Sequence, residues 1–378
     1  MDIIWPNSWL GLMGGGQLGR MFAISAQRLG YKVMVVDPNQ TAPATSVANF
    51  HLCADYNDKK ALKQLAKKCQ AVTTEFENVP AESLDLLSRD VIVSPGHKAV
   101  EICQDRILEK SFLKNNSFKT TQFKIINTIH DFPDQASGRH FFPGFLKVSR
   151  FGYDGKGQIK VCNISTLKDA FKKFDECPCV LEEGLELEKE ISVILVRSDQ
   201  GNIASYPVVE NTHKNGILDF SVVPADLPVE TIKEAKEVAV DIAKSLQYVG
   251  VMCVEFFLHK QRGLLVNEIA PRPHNSGHFT LDACFVSQFE QQVRSLCKLP
   301  LGSTAIKSPS AVMVNLLGNL WQNGDPNWSG LLESGNTSLH LYGKDTPANG
   351  RKMGHYTVLA KESRKAKEIA FQLKKSLA

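Results

Sequence analysis

Gly14-Gly15-Gly16-Gln17-Leu18-Gly19 lies between an apolar run, Trp9 to Met13, and a helical pattern that continues through Leu29. A short buried strand that turns through glycine into a helix leaves the chain few folds to choose from. The alternation then continues. Lys32 to Asp37 reads as a strand with the wholly apolar run Val33-Met34-Val35-Val36, Asp58 to Lys68 as a helix, and Ala71 to Thr74 as a strand. Ala81 to Leu87 reads as a helix and Val91 to Val93 as a strand. Strands alternating with helices predict a parallel sheet with helices on its faces.

That sheet uses only the first part of a 378-residue chain. Single cores stop growing at roughly 250–300 residues, so two or three domains are expected. A helix from about Lys98 to Leu113 leaves the first domain, and Lys114-Asn115-Asn116-Ser117 reads as a linker. Phe118 to about Glu183 reads as strands around one helix, Thr166 to Phe174, too small for a large core and suited to a mobile lid. The remainder mixes strands with helices at 230–247 and 280–297. The expected division is 1–116, 117–184 and 185–378, in an α/β and α+β chain whose first domain is Rossmann-like.

The glycine turn has the form Gly14-x-Gly16-x-x-Gly19, and Asp37 ends the next strand, 18 residues beyond Gly19. This fits a dinucleotide site, with amides at a helix N-terminus holding phosphate and an acid holding ribose. It fits another phosphate ligand, or a tight turn with no ligand, equally well. A second pattern asks for more. Val251 to Leu258 and Leu264 to Ala270 are apolar strands, and His259 to Gly263 between them marks a hairpin. Folding it about its centre sets Leu258 opposite Leu265 and Glu255 opposite Glu268. Facing acids in an apolar hairpin repel, and a hard divalent cation relieves them. Asn267 and Asn275 could add neutral oxygens. The competing reading is a solvated edge countered by Lys260 and Arg262.

Phe145 to Val148 is a strand bearing Lys147. Gly152-Tyr153-Asp154-Gly155-Lys156-Gly157-Gln158 follows, with more glycine than a hairpin tip needs. Such a loop can lay amides on phosphates and close over them. It lacks the Lys-Ser/Thr ending of a P-loop, and the catalytic-loop motifs of kinases are missing. Cys179-Val180-Leu181 runs into Glu182-Glu183, a strand end suited to an adenine edge, and Glu190 downstream could accept from ribose hydroxyls.

Together these segments resemble the ATP-grasp superfamily, and within it the N5-carboxyaminoimidazole ribonucleotide synthetase family. The match rests on Gly14 to Met21, Gly152 to Gln158, Val251 to Phe256, the run Asn267-Glu268-Ile269-Ala270-Pro271-Arg272-Pro273-His274-Asn275-Ser276-Gly277-His278, and Gly350-Arg351-Lys352-Met353-Gly354-His355. The resemblance implies a pre-ATP-grasp domain, a lid, and a larger C-terminal domain with the metal and substrate site. It implies that ATP contacts Arg106, Lys147, Gly152, Tyr153, Asp154, Gly155, Lys156, Gly157, Gln158, Glu182, Glu183, Gly184, Leu185, Glu190, His213, Asn267 and Glu268. Glu255 and Glu268 would hold Mg²⁺, or Mn²⁺ in its place.

The ribonucleotide substrate carries a phosphate, so its pocket needs cations and amides. Lys344, Arg351 and Lys352 suit that role, with the Gln17 and Leu18 amides sharing it. Glu75, Tyr153 and Asp154 would contact ring or ribose, and Asn275 and Ser276 complete the pocket. Arg272, stiffened between two prolines, and His274 would lie near bicarbonate and act in catalysis with Lys147. The implied reaction phosphorylates bicarbonate with ATP, gives carboxyphosphate, and carboxylates the exocyclic amine of aminoimidazole ribonucleotide. It needs no protein nucleophile, and lid closure would exclude water. The alternatives are another ATP-grasp ligase (formate-using or biotin-carboxylase-like), an NAD dehydrogenase built on the first 40 residues, and a binding protein without activity. Two departures stand out. Ser149-Arg150-Phe151 replaces the Thr and Gly residues usual before the lid loop, with Phe151 expected to reduce lid mobility. Met1 to Ser8 is an extension without an assigned role.

Composition narrows the partners. A net charge of +4 is too small for a nucleic-acid face but leaves room for a local basic pocket. Nine scattered cysteines, with only Cys177-Pro178-Cys179 close together, fit buried thiols in a reducing cytosol. Met1 to Trp9 lacks the features of a signal peptide, and no stretch reaches the ~20 apolar residues that cross a bilayer. A cytoplasmic enzyme without membrane or nucleic-acid partners is expected, and the family implies a homodimer.

Overall fold

The computed structural model describes residues 2–134, 138–152 and 155–377. It opens with β1 (Trp9–Met13), α1 (Gln17–Arg28), β2 (Lys32–Val36), β3 (Phe50–Leu52), α2 (Lys59–Lys68), β4 (Ala71–Thr74), α3 (Ala81–Ser88) and β5 (Ile92–Val93). The five strands form one sheet in the order β3-β2-β1-β4-β5, parallel throughout. Leu10, Leu12, Met13 and Val33 to Val36 are buried because helices cover both faces.

The single helix expected over 98–113 is two, α4 (His97–Gln104) and α5 (Arg106–Asn115). Asp105 separates them. Its backbone is extended, and its carboxylate accepts from the N–H groups of Ile107 and Leu108, capping α5. The break turns α5 so that Arg106 and Lys110, one turn apart, face the same way.

A four-stranded antiparallel sheet follows, built from β6 (Phe123–Ile126), β7 (Gly144–Val148), β8 (Gln158–Val161) and, after α6 (Ile164–Lys173), β9 (Cys179–Glu183), in the order β6-β9-β7-β8. Its core is small: Ile126, Leu146, Val161, Leu167, Phe171 and their neighbours.

The remaining strands form a nine-stranded sheet: β10 (Lys189–Arg197), β11 (Ile203–Ser205), β12 (Val209–Lys214), β13 (Ile217–Val223), β14 (Gly250–His259), β15 (Gly263–Ala270), β16 (Ser310–Leu317), β17 (Thr337–Leu341) and β18 (Lys352–Ala360). Five helices accompany it: α7 (Val229–Ser245), α8 (Thr280–Ala283), α9 (Gln288–Leu296), α10 (Ser329–Glu333) and α11 (Ser363–Ser376). α7 lays Ala235, Ala239 and Ala243 on β10 and β14, small side chains that let the helix approach closely. The helix expected over 280–297 is interrupted at 284–287, where Ser287 caps α9 through the Glu290 N–H. α9 then joins the two large sheets. Gln292 donates to Thr73 of β4 (2.7 Å) and accepts from the Val251 N–H of β14 (2.6 Å), both buried. No helix among the described residues is long and apolar enough to cross a membrane.

Candidate active site

β14 and β15 pair antiparallel with Glu255 opposite Glu268. The route differs from simple folding about the hairpin centre. Leu258 faces Leu264, not Leu265, and Phe256 faces Val266. A bulge next to Glu255 leaves Asn267 as the extra residue, which restores the acid pair. Asn267 is thereby turned out of the ladder. Its carbonyl accepts from Lys110 Nζ (3.0 Å), while its buried Oδ1 has no partner among the described residues.

The acid pair is poorly compensated. Burial first, and then the charge of Glu268, push the Glu255 carboxyl up to about 7. Glu268 meets Arg106 (3.2 Å), and Glu255 lies 3.3 Å from His274 Nε2. Burial and the nearby Arg272 hold the His274 ring well below its ordinary value, so it is neutral at pH 7 and brings Glu255 no full charge. A small depression brings Glu255 together with Asn267, Glu190 and His213. His213 Nδ1 is 2.7 Å from Glu190, whose carboxylate raises the ring's affinity for a proton against the opposing effect of burial.

A frame of paired charges surrounds this spot. Lys147 of β7 and Lys110 of α5 both reach Glu182 of β9, at 3.1 and 3.4 Å. All three are buried. Burial alone would raise the Glu182 carboxyl, but the two lysines and Arg106 outweigh it and hold it far below the usual range. Glu182 therefore acts inward, and its backbone is enclosed between β6 and β7. Glu183 is likewise engaged, accepting from Arg262 and the Gln122 N–H. Gly184 donates its N–H to Pro143 and Leu185 is half-buried, so the strand end continues into the segment leading to Glu190.

Arg272 pairs with Glu77 through two N–H groups. Burial opposes ionising Glu77, but Arg272 prevails and keeps its carboxyl low. Arg106, Glu77, Glu109, Glu268 and Arg272 line a cleft open to solvent, together with Phe151 and Gly152. Gly152, Gly155, Lys156 and Gly157 belong to the β7–β8 connection and Gln158 opens β8; Tyr153 and Asp154 lie outside the described residues. Gly157 has φ +75, and a Cβ there would stand 2.6 Å from Val148 Cγ2, so glycine is required. Phe151 also has positive φ (63) and is exposed.

Beyond Arg272, Ser276 links His274 Nδ1 and Ser192 at 2.8 Å each. Asn275 is buried with both polar side-chain atoms unpartnered among the described residues.

The glycine turn is different from the dinucleotide form. The Gly15 N–H donates to Asp37 (2.6 Å), and the same carboxylate accepts from the Tyr56 hydroxyl and the Asn39 N–H. The acid that should hold a ribose is thus buried and committed. The Gly19 N–H donates to Glu75 (2.9 Å), and a Cβ at Gly16 would lie 2.0 Å from Glu75 Oε1. Carboxylates of the chain itself occupy the turn, and the NAD reading fails. Burial pushes Glu75 up to about 7, against the pull of the Gly19 amide. Lys344 Nζ reaches Gln17 Oε1 (2.5 Å) and the Lys352 carbonyl (2.6 Å), so Gln17, Leu18, Glu75 and Lys344 meet at the N-terminus of α1. Lys352 is half-buried, and its charge reaches Glu255 and His274. Arg351 is exposed and donates to the Thr346 carbonyl (2.7 Å).

Sequence reasoning missed Lys110, Glu77 and Glu109. Lys110 lies one helical turn beyond Arg106, which places both on one face. Glu77 follows the C-terminal end of parallel strand β4, where open α/β sheets gather ligand-binding groups. Glu109 accepts from the Ile269 N–H (2.5 Å), and burial lifts it to about 8 despite Arg106.

Known proteins share this fold. Residues 8–104 match the ribonucleotide synthetase preATP-grasp domain, 111–289 the ATP-grasp domain, and 311–369 the phosphoribosylaminoimidazole carboxylase C-terminal domain. The N5-carboxyaminoimidazole ribonucleotide synthase of Brucella melitensis is 42% identical over 357 residues, 93% of this chain and 96% of that protein. The Staphylococcus aureus N5-carboxyaminoimidazole synthetase, solved with ADP, superposes with a TM-score of 0.91 at 37% identity, covering 99% of this chain and 98% of the other. The Aspergillus clavatus enzyme, solved with ADP and 5-aminoimidazole ribonucleotide, gives a TM-score of 0.88 at 28% identity and 99% coverage of both. On its fold, its acid pair and these likenesses, the chain belongs to the N5-carboxyaminoimidazole ribonucleotide synthase family of ATP-grasp ligases.

Proposed function

We propose that the chain carboxylates the exocyclic amine of 5-aminoimidazole ribonucleotide with bicarbonate in purine synthesis, converting ATP to ADP and phosphate. One observation carries the reading: Glu255 and Glu268 face each other across β14 and β15, with Glu255 pushed up to about 7. Two facing acids beside a cleft lined by Arg106 and Arg272 suit a cation-bound polyphosphate and a small anion.

The donor set fits a hard cation, since both carboxylates and the unpartnered Asn267 Oδ1 offer oxygen. Mg²⁺, or Mn²⁺, held there would offset charge on the triphosphate during transfer. Lys147, fixed against Glu182, and Arg106 would orient the phosphates. Arg272 would bind bicarbonate once Glu77 yields one of its hydrogen bonds. The γ-phosphoryl group passes to a bicarbonate oxygen as the bond to ADP breaks. The substrate amine then attacks the carbonyl carbon of carboxyphosphate, and phosphate departs with the proton. Asn275, Glu75 and Lys344 would contact the ribonucleotide, with Arg351 and Lys352 at its phosphate.

In this reading the division 1–116, 117–184 and 185–378 follows the three sheets, and the four-stranded sheet closes as the lid over ATP. Nine free cysteines suit a reducing cytoplasm. The homodimer is a family expectation that sedimentation can check. ADP release tests the function: bicarbonate with aminoimidazole ribonucleotide should trigger it, and formate with glycinamide ribonucleotide should not. The reverse outcome would replace the reading with a transformylase.

A further inference from the structure

The segments containing His278 and His355 carry more histidine than the proposed reaction uses. His340 of β17 and His355 of β18 are cross-strand partners, with ring centroids 4.6 Å apart. Asp282 of α8 approaches from outside the sheet and places both carboxylate oxygens 3.1 Å from His340 Nε2. One donor atom from each of Asp282, His340 and His355 lies within 4.8 Å of the others.

The hydrogen bonds of His355 leave one nitrogen over. Nδ1 is bonded to the Tyr342 hydroxyl (2.9 Å). Nε2 is fully buried and has no partner among the described residues. A ring whose one nitrogen is fixed by a hydroxyl while the other is unpartnered is the arrangement in which histidine binds metal. Buried polar atoms rarely go unmatched without a reason. His278 packs its ring 4.9 Å from that of His355, and its own Nε2 is also buried without a partner among the described residues.

We propose that Asp282, His340 and His355 form a site for one divalent transition-metal ion of the zinc class, separate from the Glu255 and Glu268 pair. Two imidazoles and a carboxylate suit Zn²⁺ and its neighbours, not Mg²⁺. Donors at about 2.0–2.2 Å from Zn²⁺ stand roughly 3.4 Å apart in a tetrahedron. The His340 and His355 rings stack 15° from parallel, so with His355 fixed, the partly exposed His340 ring must turn out of the stack to aim Nε2 at a shared ion, and Asp282 must follow it. The ion would tie β17 and β18 to α8, directly after the run that ends in His278, and leave a fourth position to water. Its role is to brace this corner of the sheet, and it takes no part in carboxylation.

The test uses the full chain stripped with a chelator and titrated with Co²⁺ in the absence of nucleotide. One Co²⁺ per chain should bind with the intense visible absorption of a four-coordinate nitrogen and oxygen site, and Zn²⁺ should displace it where Mg²⁺ does not. Zn²⁺ should also raise the melting temperature in a concentration-dependent way. Asp282→Asn and His340→Ala should each weaken Co²⁺ binding by about 100-fold or more. Neither side chain is fully buried, and melting of the stripped variants verifies that they fold. Equal Co²⁺ binding by wild type and both variants, or a Co²⁺ signal removed by Glu255→Gln instead, would overturn the proposal.

Discussion

Two glutamates on neighbouring parts of the cleft, Glu182 on β9 and Glu255 on β14, are removed from water yet end in opposite electrical states. Glu182 lies between Lys110 and Lys147 and is held far below the ordinary carboxylate range. Glu255 faces Glu268 and is pushed up to about 7. Burial acts the same way on both. What differs is the supply of cations: Lys110, Lys147 and Arg106 outweigh burial at Glu182, whereas Glu255 contacts a neutral histidine and the charges of His213 and Lys352 do not outweigh burial and Glu268. Glu182 is an acid completed by the fold; in the proposed reaction Glu255 is completed by an incoming ion.

The largest expected effect comes from undoing the first state. Lys110 is fully buried and bonds Thr120, Thr121 and the Asn267 carbonyl besides Glu182. Lys110→Met should cost about 3–5 kcal/mol, the penalty for stranding a buried charge. Urea unfolding measures it, and a loss under about 1 kcal/mol would make Glu182 no different from a surface acid.

Glu255→Gln should act on turnover instead. The rate at saturating Mg²⁺ and ATP should fall about 10²–10³-fold, the scale for losing one electrostatic contact to the transition state. Stability without nucleotide should hold or rise, because a facing charge is removed. Arg351→Ala should be milder and selective, raising KM for the ribonucleotide about tenfold with little change for ATP. Equal effects on both would remove Arg351 from the phosphate pocket.

The smallest effect is a slope in pH. Glu75 and Glu255 at about 7 and Glu109 at about 8 all stand above the ordinary glutamate value of about 4.3. Between those limits the folded chain binds more protons than the unfolded one, so their contribution to stability is lost as pH rises from about 4.3 to about 8. Glu77 and Glu182 have the opposite sign but act only at lower pH. His274, His278 and His355, held well below the ordinary histidine value of about 6.5, favour the folded chain as pH rises and offset the glutamates up to about that pH. Melting temperatures of the ligand-free chain should therefore decline from pH 6.5 to pH 8, and MgADP should flatten the slope by keeping Glu255 ionised. A rise over that range would reverse the assignment of charge.

Much of the architecture was legible because it rests on local pattern. The alternating strands and helices of the first domain need only apolar periodicity and turns, and the parallel sheet follows. The acid pair was legible too, though through a compensating error: the pairing beside the turn is shifted by one residue, Leu258 with Leu264, and the bulge at Asn267 returns Glu255 to Glu268. The helix breaks at Asp105 and at 284–287 were hidden because helical pattern continues across both, and only capping by Asp105 and Ser287 interrupts it. The glycine turn misled for a different reason. Its spacing permits bound phosphate, but Asp37 and Glu75 arrive from other strands to take the Gly15 and Gly19 amides, and no local motif announces them. Lys110 and Glu77 escaped on the same ground, since their partners lie far along the chain.

Diffraction from crystals grown with MnADP, collected for the anomalous signal of manganese, bears on the pairing of Glu255 with Glu268 without intermediaries. A single strong peak should lie between the two carboxylates, about 2.1 Å from an oxygen of each, and touch the diphosphate. Carboxylates splayed into solvent with manganese elsewhere on the nucleotide would leave the acid pair without its ion, and the ligase mechanism built on it would fall.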